Sequence, residues 1–220
     1  MTRGGASSPD GRNGLYIVLE GQDGTGKTTQ VELLAGYLRE HGHDVITLRE
    51  PGGGLAATEI MRELLKNKEY DLDPVTITLI FAANRRELWA KTIEPALKLG
   101  KTVISDRNWW STLAYEHYGF GVPAEVVTQI HEQSLPERYL KPDLGLIFTL
   151  DDAERQRRLS SRDGKQTQDT FESQKDDFQS RVNAGYIEIA ARYGVPTIDA
   201  SGTIEEIQAA IIRVLDDAAG

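Results

Sequence analysis

The chain contains no cysteine, which removes disulfides, thiolate metal sites and cysteine nucleophiles together. It has no run of eighteen apolar residues, so no segment reads as a membrane-spanning helix and no membrane partner is expected. Basic charge is scarce: 25 Lys and Arg stand against 34 Asp and Glu, a formal net charge of −9. Sequence-independent affinity for nucleic acid comes from surplus basic charge, so no nucleic acid is expected as a partner. A local basic pocket for a small anion stays open. The first thirteen residues, MTRGGASSPDGRN, hold no apolar stretch and so no signal-peptide core. They are expected to form a mobile tail. What remains is one domain over residues 14–220, long enough to bury a substantial core.

Five short apolar runs punctuate that domain: 15–20, 44–49, 101–106, 144–150 and 195–200. Helical periodicity separates them, most plainly at 56–67, 75–99, 123–134, 172–193 and 203–217. In the first helix, Val31, Leu34, Ala35 and Leu38 recur at i, i+3, i+4 and i+7. Strands alternating with helices imply an α/β fold with a parallel sheet and right-handed crossovers. Near-continuous apolar strands agree, because such a sheet is covered on both faces.

Between the first strand and the first helix lies Gly21-Gln22-Asp23-Gly24-Thr25-Gly26-Lys27-Thr28, followed by Thr29. It matches G-x-x-x-x-G-K-[ST] in the context that the motif requires. A chance match in a chain of this length is about one in a hundred. The glycines let the backbone turn its N–H groups inward at a helix N-terminus, making an anion nest. Lys27 would reach the β- and γ-phosphates, and Thr28 would offer its hydroxyl to Mg²⁺. A nucleoside triphosphate is the expected ligand. No base-selective N-K-x-D accompanies the loop, which argues against a GTPase switch.

Further charged patterns stand after the strands: Arg49-Glu50-Pro51-Gly52-Gly53; Phe81-Ala82-Ala83-Asn84-Arg85; and Asp106-Arg107 with Ser111, Thr112 and Tyr115. A basic stretch follows strand four, with Arg155, Arg157, Arg158, Arg162 and Lys165. Arginines at strand ends near a phosphate loop suit bidentate phosphate binding. The four histidines, His41, His43, His117 and His131, share no metal-ligand spacing.

On LEGQDGTGKTT, REPGG, FAANR, DRNWWSTLAY and DTFES, in order from about Leu15 to Leu215, the sequence resembles the thymidylate kinases. The resemblance implies a three-layer P-loop kinase fold, with a five-stranded parallel sheet in the order 2-3-1-4-5 and a lid over about 156–172. It implies ATP as phosphoryl donor, dTMP as acceptor, Mg²⁺, a homodimer and a cytoplasmic location. By the same likeness Asp23 would hold the 3′-hydroxyl of dTMP, and Arg49 and Arg107 its phosphate. Phe81 would stack on thymine, Arg85 would bond its O4 edge, and Thr112 would approach N3 with Ser111 nearby. Tyr115 would lie against C2′, and Asp106 would help to order Mg²⁺. Catalytic charge would come from Lys27, Arg107 and the lid, Arg162 first and Arg158 second, because Gly24 occupies the loop position where some members carry Arg. Two other departures are Asn108-Trp109-Trp110 after the Asp-Arg pair's usual context, and Asn84 where Asp is frequent. The rival reading is a deoxynucleoside kinase, whose neutral acceptor hydroxyl would need Glu50 as general base. A nucleotide-dependent binding protein without turnover is the third.

Overall fold

The computed structural model describes residues 14–161 and 176–219. The N-terminal tail, Arg162, Lys165 and most of the expected lid lie outside the described residues. Five strands, β1 (Tyr16–Gly21), β2 (Val45–Arg49), β3 (Thr102–Asp106), β4 (Leu144–Thr149) and β5 (Thr197–Asp199), form one sheet ordered β2-β3-β1-β4-β5. Every pairing is parallel. The helices are α1 (Lys27–Glu40), α2 (Ala56–Lys66), α3 (Pro74–Leu88), α4 (Glu94–Lys98) and α5 (Trp109–Thr112). They continue as α6 (Ala124–Ser134), α7 (Glu137–Leu140), α8 (Asp152–Ser161), α9 (Asp176–Tyr193) and α10 (Ile204–Ala219).

The period-two alternation of β1 divides the core. Tyr16 and Val18 face one layer, where Trp89, Trp109, Trp110, Tyr139 and Tyr186 gather. Ile17 and Leu19 face the other, built with Val31, Leu34 and Leu38 of α1 and Ile207 and Ile211 of α10. Both faces are covered, which is why the strands read as continuous apolar runs.

Three departures from the sequence pattern have physical causes. The helical pattern over 75–99 is split by a π-helical turn, Trp89–Ile93, directly before α4. Pro95, in the first turn of α4, has no N–H to return to the preceding turn. Residues 109–119 form a helix, α5 running into a π-helical segment over Leu113–Gly119. Apart from His117 and Tyr118 it is buried throughout, so it shows no amphipathic stripe. The described part of the basic stretch after β4 is also helical, as α8, and the buried side chain of that helix is Arg155.

Candidate active site

β1 ends at Gly21 and α1 begins at Lys27, so the phosphate loop crosses from a strand end to a helix N-terminus. Gly24 and Gly26 hold φ of 92° and 88°, a region that side-chain-bearing residues avoid. Thr25 Oγ1 and Lys27 Nζ each donate to the Gln22 carbonyl at 2.9 Å, closing the loop on itself. Burial, and then the charge of Arg107, pull the Lys27 ammonium down to about 8, against the carboxylates of Asp106 and Asp23. Thr29 is exposed on the first turn of α1. Thr28 Oγ1 donates to Asp106 Oδ2 at 2.7 Å, while Asp106 Oδ1 is buried without a hydrogen-bond partner among the described residues.

Beside the loop opens a cavity that gathers Asp23, Arg49, Phe81, Arg85, Arg107, Ser111 and Tyr115. These side chains come from five different segments of the chain, and the sheet brings them together. Asp23 and Arg107 meet at 2.8 Å across the cavity wall. Burial opposes ionisation of Asp23, but Arg107, Lys27 and Arg49 outweigh it and hold the carboxyl well below the usual range. Arg107 has φ of 82°, a left-handed backbone unusual for a long side chain. Its guanidinium lies 5.6 Å from the Tyr115 ring centroid, and that of Arg85 lies 5.0 Å from the Phe81 ring.

Arg85 is held from behind. Nε donates to Glu50 Oε2 at 3.1 Å, Nη2 to the Asn108 carbonyl at 2.6 Å, and Nη1 to Thr112 Oγ1 at 2.6 Å and His131 Nε2 at 3.1 Å. Four of its five N–H groups are thereby used, leaving one on Nη2. Thr112 thus supports Arg85 from behind and is not among the residues that line the cavity. His131 Nδ1 contacts the Val127 carbonyl at 2.8 Å. Burial first, and then Arg85, push His131 down to about 3, so the ring is neutral and free to accept.

Glu50 also lines the cavity, but its carboxylate is enclosed and engaged by other side chains. One oxygen takes Arg85 Nε and the Tyr139 hydroxyl; the other lies 3.3 Å from Ser105 Oγ, whose single proton has a closer acceptor in the Arg107 carbonyl at 2.8 Å. Burial pushes its carboxyl up to about 7 despite Arg85. It anchors the arginine. Asn84 donates to the Thr58 carbonyl at 2.8 Å and accepts from Gly52 N–H at 3.3 Å. An ionised Asp could make only the second of these bonds.

On the donor side, α8 packs on the loop: a Cβ at Gly24 would lie 3.1 Å from the Cγ atoms of Arg155 and Leu159. Arg158 turns to Glu154 on its own helix, at 2.8 Å. The residues of α8 that approach the loop are thus Arg155 and Leu159, of which Arg155 stands in the sequence only as part of a basic run. Arg62 and Lys66, one turn apart on α2, also line the cavity. No motif marks them; their i, i+4 spacing on an amphipathic helix is the signal that was available. Trp109 and Trp110 pack in the core, with Trp110 lying where a Cβ at Gly145 would be, 2.7 Å from its ring.

A parallel three-layer sheet, with a phosphate loop after its first strand and a second cationic cavity alongside, defines a P-loop phosphotransferase. Residues 19–211 match the sequence model of the family described as thymidylate kinase. A thymidylate kinase of Leifsonia xyli subsp. xyli is 38% identical over 214 residues, spanning 96% of this chain and 98% of that one. Another, from Bifidobacterium longum, is 38% identical over 206 residues, spanning 90% and 96%. The crystal structure of thymidylate kinase from Ehrlichia chaffeensis superposes with a TM-score of 0.73 at 32% identity, covering 93% of this chain and 99% of that one. The chain belongs to the thymidylate kinase family.

Proposed function

We propose that this chain transfers the γ-phosphoryl group of ATP directly to the phosphate of dTMP, giving dTDP. The observation that carries the reading is the cavity beside the phosphate loop, joined to it by the Asp23–Arg107 ion pair. The acceptor phosphate has a second pKa near 6, so near neutral pH no side chain has to take a proton from it. Catalysis is then alignment and charge neutralisation. Lys27 and the loop N–H groups receive the donor phosphates, Arg49 and Arg107 the acceptor phosphate, and Asp23 the 3′-hydroxyl. Among the described residues the Arg49 side chain makes no hydrogen bond or ion pair, although its charge reaches Asp23, which suits a residue kept for a ligand. Phe81 and the remaining Arg85 N–H face the base, with Ser111 beside Arg107 and Tyr115 against the sugar.

Mg²⁺ fits this loop. Thr28 and the unpartnered Asp106 Oδ1 supply hard oxygens, and Mg²⁺ characteristically takes one or two protein ligands plus substrate phosphates. When bound it would offset negative charge on the donor phosphates. Donor-side charge from the lid is assigned to Arg162 first and Arg158 second, the latter exchanging Glu154 for phosphate. The family likeness also carries the expectation of a homodimer acting in the cytoplasm; light scattering reads the first and cell fractionation the second.

The deciding experiment is ADP release measured with a panel of nucleosides and monophosphates. dTMP should turn over and thymidine should not. Turnover of thymidine in preference to dTMP would establish the deoxynucleoside kinase instead, and binding of ATP without any turnover would establish a nucleotide-dependent binding protein.

A further inference from the structure

Arg107 shows one edge of its guanidinium to the cavity and the other to the protein. Nη2 donates to Asp23 Oδ1. Nη1 turns inward, its two protons directed to Ser111 Oγ at 2.9 Å and to the Tyr186 hydroxyl at 3.1 Å. Both hydroxyls then meet one oxygen, Glu20 Oε2, at 2.7 Å from Ser111 and 3.0 Å from Tyr186. The other carboxylate oxygen accepts the backbone N–H groups of Asn108 and Ser111, at 2.7 and 3.0 Å. A hydroxyl has a single proton, and the guanidinium can only donate. The two hydroxyls also lie 3.0 Å from each other; the arrangement that uses both Nη1 protons and gives the carboxylate both hydroxyl protons has each hydroxyl accept from Arg107 and donate to Glu20. All four side chains are buried, Tyr186 and Glu20 almost completely. The hydroxyls and the carboxylate behind them hold the inner edge of the guanidinium.

We propose that Tyr186 is a positioning residue for Arg107: with Ser111 it relays the Glu20 carboxylate to the inner edge of the guanidinium, fixing the outer edge toward the transferring phosphate. This rests on the reading of Arg107 as a phosphate ligand. Tyr186 belongs to α9, which also reaches the phosphate loop, where Gln22 Nε2 donates to the Gln179 carbonyl at 2.8 Å. The same helix thus contacts both sides of the reaction.

The test is a double-mutant cycle in steady-state kinetics with ATP and dTMP, accompanied by thermal melts. Tyr186→Phe keeps the ring and removes the hydroxyl, and it should lower kcat about tenfold, the scale of one charge-assisted hydrogen bond. The KM for ATP should stay within twofold of wild type. In an Arg107→Ala background the same change should have less than a twofold effect, because no guanidinium remains to be held. Ser111→Ala removes the parallel hydroxyl and should follow the same pattern, which keeps the question answerable if Tyr186→Phe melts below the assay temperature. An equal loss in both backgrounds, or wild-type kcat in Tyr186→Phe, would overturn the proposal. Full activity in Arg107→Ala alone would overturn the reading of Arg107, and the relay with it.

Discussion

Lys27 carries a depressed pKa, and its consequence for the reaction has a definite sign. The ammonium must be charged to meet donor phosphates, and burial together with Arg107 lets it lose its proton near pH 8. kcat/KM for ATP should therefore fall as pH rises through about 8. The corresponding limb in kcat should lie higher, because bound phosphate charge favours the protonated form. Lys27→Ala should lower kcat at least 100-fold, about 2.7 kcal/mol, while circular dichroism stays that of the wild type. Tyr115 gives a second prediction at this scale. Its ring lines the cavity between Arg107 and the rings of Phe178 and Tyr186, where a 2′-hydroxyl would be desolvated without a partner. Tyr115→Ala should raise kcat/KM for ribothymidine monophosphate relative to dTMP by about fivefold or more; an unchanged ratio would place sugar selection elsewhere. Glu116 is a carboxyl shifted chiefly by burial. Both its oxygens are buried without partners among the described residues, and burial pushes its carboxyl up to about 8, with Arg85 opposing and Asp73 adding to the effect. A raised native pKa means that the stability it contributes is present below about pH 4.5 and lost as pH climbs to 8. Glu116→Gln should thus raise the Tm at pH 9 relative to wild type, by about 2–4 °C per kcal/mol recovered, with a smaller change at pH 5.

At the scale of elements, the five strands were legible because each is a short apolar run covered on both faces. The phosphate loop was legible as a motif, since close approach to phosphate restricts residue type locally, and the β2–α2, α3 and β3–α5 segments were legible through their resemblance to a known family. The supports of those residues were not. Glu20, Tyr186 and His131 act on partners far along the chain, and a buried tyrosine or histidine looks the same in sequence whether or not it holds an arginine. Helix 109–119 escaped notice because it has almost no solvent face, and α8 because it has almost no buried one. The contact of α8 with Gly24 yields a prediction. Gly24→Ala would place a methyl 3.1 Å from Arg155 and Leu159 on a strained backbone at φ 92°. The side chains of Arg155 and Leu159 must give by a few tenths of an ångström, on the donor side of the loop, so the KM for ATP should rise several-fold while dTMP affinity, measured by titration, changes little.

For the molecule as a whole, one sheet serves two separate cores. The layer beside the cavity contains Trp89, Trp109 and Trp110, and these are all three tryptophans of the chain. The opposite layer, under α1 and α10, has none. Tryptophan emission is therefore a built-in reporter of one half of the protein, blind to the other, whereas far-ultraviolet circular dichroism sees the helices of both. Because β1 contributes alternate side chains to each core, neither layer can come apart without exposing the strand that the other shares. Thermal unfolding followed by the two signals should give one coincident transition. Emission that changes well before the helical signal would mean that the acceptor layer opens by itself. Its three indoles would then report the motion in solution without any added label.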